Sequence, residues 1–352
     1  MIKSEPDRKR SKDLGIDLKT IKLFEKIAKA VAPPPIMTVS QWADAERRLS
    51  AESSAEAGRW NTERAPYQRE ILDAVNNPEC EEVVIMSSAQ VGKTELILNT
   101  IGYYIDYDPA PILVVNPTIE MAQTFSKDRL APMIRDTPAL RGKVRDAKSK
   151  NSGNTILHKQ FPGGHITMAG ANSPASLASR PIRIALMDEI DRYPASAGTE
   201  GNPIKLAEKR TTTFWNRKKI KVSTPTIKGQ SQIEAEFLTG SQEEWCVPCP
   251  CCGKYQPYEW GRIHFSDVTM ECKFCGEHIS EVDWKQQKGK YIAKFPDRKR
   301  KRSFHLNELA SPWKHWEEII REFREAQKEL KENGDINKMK TWINTTLGET
   351  WE

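Results

Sequence analysis

Long hydrophobic runs are missing from this chain of 352 residues. No apolar stretch reaches the roughly 18–20 residues that span a bilayer, so the sequence offers no candidate transmembrane helix. The amino end, Met1-Ile2-Lys3-Ser4-Glu5-Pro6, is polar and lacks the apolar centre of a secretory signal. Cysteine is scarce outside one window: of 7 in the chain, all but Cys80 lie between Cys246 and Cys275. That excludes a disulfide framework spread along the chain and points to a metal site in a reducing interior. Charge of one sign does not dominate either. Lys+Arg number 54 against 48 Asp+Glu, a net charge of +6 that permits binding to a polyanion without establishing it. Internal repeats and low-complexity tracts are absent. At 38% hydrophobic residues, the chain can bury the core of one large domain or two ordinary ones.

The first dozen residues are charged and expected to be disordered. From Asp17 to Ala32 the residues Leu18, Ile21, Phe24, Ile27, Ala28 and Val31 share one helical face, which either packs on its own domain or docks on a partner. Pro33-Pro34-Pro35 ends that helix, and a short second one is expected after Ser40 through Trp42 and Ala45. Between Trp60 and Thr226, strands alternate with helices. The strands are expected at Glu82–Met86, Pro111–Asn116, His165–Ala169, Arg183–Met187 and Lys218–Ser223. The helices are expected at Tyr67–Asn76, Thr94–Tyr103, Ile119–Asp136 and Pro203–Arg210. Such alternation predicts an α/β fold, a mostly parallel sheet with helices on both faces. Two further strands are expected around Tyr291-Ile292 and Ser303–Leu306, then a long charged helix from Trp313 to about Glu332.

Ser87-Ser88-Ala89-Gln90-Val91-Gly92-Lys93-Thr94 lies between the apolar strand Val83–Met86 and a helix start. This is the strand–loop–helix setting of a P-loop. Amides of Ser88, Ala89, Gln90, Val91 and Gly92 would cradle phosphates at a helix N-terminus, Lys93 would reach the β- and γ-phosphates, and Thr94 would ligate Mg²⁺. Ser87 stands where the pattern has glycine. The other reading is a chance Gly-Lys-Thr turn.

Ile184-Ala185-Leu186-Met187-Asp188-Glu189 is an apolar strand ending in two carboxylates. Asp188 suits Mg²⁺, and Glu189 suits a base that deprotonates the attacking water. Alternation along a strand lets both act on one ligand only where the strand ends. The two motifs stand two strand candidates apart, which suggests the P-loop division with an additional strand between them and a catalytic Glu (ASCE type). Smaller signals fit. Gln68 can hydrogen-bond adenine and Tyr67 can stack on it, though Pro66-Tyr67-Gln68 reads equally as a helix start. Ser223 and Thr224 can sense the γ-phosphate. Arg180 or Arg183 can supply the positive charge that phosphoryl transfer needs, in cis or from a neighbouring subunit; the other reading of each is a surface arginine.

Cys249-Pro250-Cys251-Cys252-Gly253 and Cys272-Lys273-Phe274-Cys275-Gly276 form two C-x-x-C-G knuckles. Cys249, Cys252, Cys272 and Cys275 are the expected ligands of a closed, structural Zn²⁺ site, with Cys246 and Cys251 spare.

With these motifs in view, the chain resembles the large terminase subunit of lambda-like tailed phages and prophages. The resemblance rests on Gly58-Arg59-Trp60, Ala65-Pro66-Tyr67, Ser88–Glu95, Met187-Asp188-Glu189-Ile190-Asp191-Arg192-Tyr193-Pro194 and the cysteine ribbon. It continues through Phe304-His305-Leu306-Asn307, Ser311-Pro312-Trp313 and Asn344–Glu352. It implies ATP-driven movement of double-stranded DNA into a capsid, with ATP, Mg²⁺ and Zn²⁺ as cofactors. It also implies a small terminase subunit and the procapsid portal protein as partners, a homo-oligomeric ring when active, and a location in the host cytoplasm. Arg180 becomes the favoured trans-acting arginine, since Ala89-Gln90 leave no arginine inside the loop. Family members add a metal-dependent nuclease, but no acidic cluster follows the ribbon here, so nuclease activity is not expected from this chain alone. The expected organisation is 1–55 arm and docking helices, 56–240 ATPase core, 241–282 zinc ribbon, and 283–352 completion of the ATPase domain leading towards a nuclease domain. One rival is a helicase-like nucleic-acid-stimulated ATPase; it needs a second ATPase-like domain that the residues after the ribbon are too few to build. The other is a non-enzymatic zinc-ribbon nucleic-acid-binding module, against which intact Lys93, Asp188 and Glu189 argue.

Overall fold

Runs such as Val83–Met86 and Ile112–Val115 are apolar on both faces, and a strand of that kind is stable only where helices cover both sides of a sheet. The computed structural model, which describes residues 17, 19–20, 23–24, 37–52, 54, 56–144, 154–178 and 180–352, has that arrangement. The chain divides into Met1–Met37 and Thr38–Glu352, and the expected helix over Asp17–Ala32 lies largely outside the described residues. Among the described residues no helix is long and apolar enough to cross a membrane.

The strands are β1 (Glu82–Ser87), β2 (Ile112–Asn116), β3 (His158–Phe161), β4 (Gly164–Gly170), β5 (Ile184–Asp188), β6 (Lys218–Ser223) and β7 (Glu243–Pro248). They continue as β8 (Tyr255–Pro257), β9 (Ile263–His264), β10 (Thr269–Glu271), β11 (His278–Ser280), β12 (Lys290–Ala293) and β13 (Lys301–Leu306). Ten of them form one sheet in the order β8-β7-β13-β1-β6-β5-β2-β4-β3, with β12 also on β7. From β7 to β4 every pairing is parallel, while β8, β12 and β3 pair antiparallel. Strand β6 therefore lies between β1, which feeds the Gly-Lys-Thr turn, and β5, which ends in the acids.

Side-chain alternation divides the core in two. Val83, Ile85, Ile112, Val114, Ile184 and Leu186 pack on one face with helices α1 (Val39–Glu46), α2 (Gln68–Asn76) and α3 (Lys93–Asp106). Val84, Met86, Leu113, Val115, Ala185 and Met187 pack on the other with α4 (Pro203–Lys209) and α5 (Gln232–Leu238). Helix α1 starts at a capping box between Thr38 and Gln41, and its buried Trp42 donates to Asp106 on α3 at 2.7 Å. The helix expected over Ile119–Asp136 widens to π spacing at Phe125–Leu130, just ahead of Pro132. Proline cannot donate to the preceding turn and clashes with it, and the bulge absorbs both effects. The long helix α6 (Trp316–Asn333) begins three residues later than expected, where Trp316 can bury completely.

Two features differ from the sequence expectation. The polar segment His158–Phe161 is a strand, held at the sheet's outer edge by its hairpin with β4. The cysteine segment also supplies strands to the main sheet, which the sequence did not announce. Strands β7 and β8 belong to the main sheet, and Trp260 packs among Phe265, Phe323 and Trp342 at ring-centroid distances of 4.8–5.1 Å. Strand β13, far along the chain, sits beside β1 in the middle of the sheet.

Candidate nucleotide site and cysteine cluster

Strand β1 delivers the chain to the carboxyl edge of the sheet, and Ser88–Gly92 turn it back into α3. The turn needs left-handed backbone at Gln90 (φ 57°) and Gly92 (φ 87°). Only glycine fits at Gly92, since a Cβ there would lie 2.2 Å from the Gln68 side-chain nitrogen. Ser87 needs no glycine: it is still in β1, opposite Leu306, and its φ is not positive. The Ser88 hydroxyl and the Gln68 side-chain oxygen are buried with no partner among the described residues. The loop thus presents an orphaned hydroxyl beside the start of a helix, a fit to a phosphate chain.

Lys93 is buried at the start of α3. Its Nζ donates to the Ser88 carbonyl at 3.0 Å and to the Thr224 hydroxyl, and lies 3.8 Å from Glu189 Oε1. Burial pulls its pKa below the usual lysine value, against the opposing pull of Glu189 and Asp188. Burial and the neighbouring Glu189 push Asp188 up to about 7. Glu189 follows β5 in left-handed backbone, φ 54° and ψ 50°. That twist stops the alternation of the strand and turns both carboxyls towards Lys93. A bulky residue in this region stores strain, which clusters at working sites. Thr94 stands next to Lys93 in the first turn of α3, partly buried.

The end of β6 closes the site. Thr224 touches Lys93, and the Ser223 hydroxyl accepts from the Asp191 amide at 3.2 Å. Asp191 fastens the region further, accepting from the Thr226 hydroxyl at 2.8 Å and the Ile233 amide at 2.7 Å.

Other expected residues fall elsewhere. Tyr67 is a core residue with 1% exposure, its ring edge-on to Trp245, so neither face is free for a base. Gln68 is equally buried and braces the loop by donating to the Val91 carbonyl at 3.1 Å. Arg183 forms a fork with Asp108 at 2.8 and 2.6 Å and lies over Tyr104, at the opposite end of β5 from Asp188. Arg180 is exposed, 3.3 Å from His158 on β3. Strand β3 is three positions from β5 and five from β1, roughly 14 and 24 Å at about 4.8 Å per strand, which sets Arg180 away from the acids and the loop of its own chain.

Sequence reasoning missed four contributors. Arg192 lies 3.6 Å from Glu189 and is signalled only by its place one turn beyond it. The loop's floor comes from the far end of the chain. The Ser88 amide donates to the Leu306 carbonyl at 2.9 Å and the Ala89 amide to the Thr345 carbonyl at 2.7 Å. Gly348 presses so close that a Cβ would sit 2.6 Å from the Ser88 nitrogen.

At the other side of the sheet, all four expected cysteines converge, with sulfurs within 4.8 Å of one another. The distances Cys249–Cys275 and Cys252–Cys272 are both 3.8 Å. A tetrahedron of thiolates about 2.3 Å from a zinc ion has edges of about 3.8 Å. Amides of Cys252 and Phe274 point at Cys249 and Cys272 at 3.5 and 3.4 Å. Cys251 is exposed, and Cys246 is buried in β7 with its thiol pushed up to about 12 by burial.

The family model for the ATPase domain of phage terminase large subunit gpA matches residues 54–291. This chain belongs to that family. The model for the endonuclease domain of the same subunit matches residues 301–352. That match begins with β13, so the boundary between the two models runs through the main sheet. The chain is 31% identical over 355 residues to the terminase large subunit of Enterobacteria phage P21, covering 92% of this chain and 54% of that protein. It is 29% identical over 354 residues to the terminase large subunit of Escherichia phage lambda, covering 91% and 53%. The chain therefore spans about half the length of the curated relatives it matches. Among solved structures, the large terminase ATPase domain of Thermus phage P74-26 aligns with 86% of this chain and 99% of its own, at 15% identity and a TM-score of 0.44.

Proposed function

We propose that this chain is the ATPase engine of a phage DNA-packaging motor, hydrolysing ATP to move double-stranded DNA into a capsid. One observation carries the reading: Lys93, Glu189 and Thr224 meet at one point beneath the P-loop, with Asp188 beside them. Amides of Gln90–Gly92 and the α3 N-terminus hold the phosphates, since those of Ser88 and Ala89, expected to share the task, are bonded to the Leu306 and Thr345 carbonyls, and Lys93 swings from Ser88 and Thr224 to the β- and γ-phosphates. Thr94 and Asp188 would hold Mg²⁺, which neutralises charge on the phosphates when bound. Glu189 takes the proton of a water whose oxygen attacks the γ-phosphorus, and the bond to the β–γ bridging oxygen breaks towards ADP. Loss of the γ-phosphate releases Lys93 back to Thr224, and the Ser223–Asp191 contact passes that change to α5.

The four thiolates would hold a structural Zn²⁺ that pins the turn between β7 and β8 to the turn between β10 and β11. Because Arg180 lies far from the site of its own chain, it serves the neighbouring chain in a homo-oligomeric ring. The small terminase subunit and the procapsid portal are the partners of that ring, in the host cytoplasm. The reading assigns ATP hydrolysis, not DNA cleavage, to these residues. The test is ATP turnover against protein concentration, with and without double-stranded DNA. Turnover per chain should rise steeply with concentration and DNA, and Arg180→Ala should abolish the rise. A concentration-independent rate untouched by Arg180→Ala contradicts the ring, and no ATP turnover under any condition contradicts the engine.

A further inference from the structure

Beyond the four thiols, β9, β10 and β11 form a separate three-stranded antiparallel sheet. Its register pairs Ile263 with Met270 and Met270 with Ile279, and these three residues are buried on one face. Trp284 closes that face, donating to the Met270 carbonyl at 3.2 Å. Side-chain alternation then places His264, Glu271 and His278 together on the opposite face, one from each strand.

These three side chains bring their donor atoms within 4.8 Å of one another. His264 Nε2 lies 3.5 Å from Glu271 Oε2, and the two imidazoles are 3.9 Å apart between centroids. The nearest competing charge is Arg262, 3.9 Å from Glu271, and its close contact at 2.8 Å is to Glu259 instead. Lys273 also turns to Glu259, at 3.5 Å. Glu271 therefore keeps only the longer Arg262 contact at 3.9 Å beside His264.

We propose that His264, Glu271 and His278 form a second metal site, for a divalent transition-metal ion of borderline softness such as Zn²⁺. Two imidazoles and one carboxylate are the donor set such ions take, and three protein ligands leave a position open to water, unlike the closed four-thiolate cluster. An ion there ties together three strands of only two or three residues each, giving this small sheet a cross-link its length does not supply.

The test is zinc content of the full chain, dialysed against buffers of rising free Zn²⁺. Wild type should take up two ions per chain, the second more weakly. His264→Ala/His278→Ala should take up one, and Glu271→Gln should weaken the second ion by more than about tenfold. Cobalt–thiolate absorption, the same in every variant, marks an intact cysteine cluster. Should the double variant lose that absorption, His278→Gln alone is measured and must weaken the second ion. A wild type that holds one ion, or a second ion bound equally by wild type and His278→Gln, overturns the proposal.

Discussion

The two ends of strands β1 and β6 hold their charges in opposite ways. At the amino half, Glu81, Glu82, Lys219, Lys221, Glu236 and Lys301 form a closed network. Lys221 is fully buried, with carboxylate oxygens of Glu208, Glu236 and Glu82 at 2.6, 2.7 and 3.2 Å. Within that network the resolved shifts favour the charged form, although burial lowers the neighbouring Lys218: Lys221 is raised by its three acids, while Glu81 and Glu236 are held down at about 2 by their cationic neighbours. At the carboxyl end the signs reverse. Burial lowers Lys93 and raises Asp188, so both are shifted towards the neutral form. Charges that stabilise a fold are satisfied by it, and charges that await a ligand are not.

The largest effect should come from breaking the satisfied end. Lys221→Ala removes the one fully buried cation from Glu82, Glu208 and Glu236, which keep only the more exposed Lys205, Lys219 and Lys301, and should cost up to about 3–5 kcal/mol of stability, read by chemical denaturation. A loss below about 1 kcal/mol would show that the network is not what holds α4 and α5 to the sheet. Lys93→Ala should leave stability close to wild type yet cut ATP turnover by about 10²–10³-fold; equal damage to stability would erase the contrast between the two ends. Acidity should act on the network next. Glu81 and Glu236 have folded pKa values depressed from 4.5 to about 2, so their contribution is present above about pH 4.5 and drains away as pH falls towards 2. Glu236→Gln should flatten that part of the stability–pH curve, and an unchanged curve would place the acid sensitivity elsewhere. The smallest effect is expected from Tyr67→Phe. Its hydroxyl is buried without a partner among the described residues, so melting should stay the same or rise slightly and nucleotide affinity should not change.

Local signals were legible where chemistry and chain order coincide. The P-loop, the Asp188-Glu189 strand end and both cysteine knuckles announce themselves within a few residues each, and the hydrophobic runs placed β1, β2, β4, β5 and β6 within about a residue of where they lie. Long-range contacts were not legible. Nothing near Ser88 says that Leu306, Thr345 and Gly348 build the floor beneath it, because that contact spans more than two hundred residues of chain. Tyr67 read as a base-stacking aromatic because the sequence does not reveal that Trp245, itself packed on Tyr291, lies against it. Edge strand β3 was hidden by its polar sequence, since a strand with one bonded neighbour has no need of two apolar faces.

The central claim is that Glu189, turned out of its strand by left-handed backbone, is the base that activates water beside Lys93. Glu189→Gln keeps the size and a hydrogen-bonding side chain but cannot accept the proton. ATP binding and single-cycle hydrolysis should be measured on the same full-length preparation. Nucleotide affinity should match wild type while the hydrolysis rate falls by about 10²–10⁴-fold. A Glu189→Gln chain that hydrolyses ATP at the wild-type rate would contradict the account.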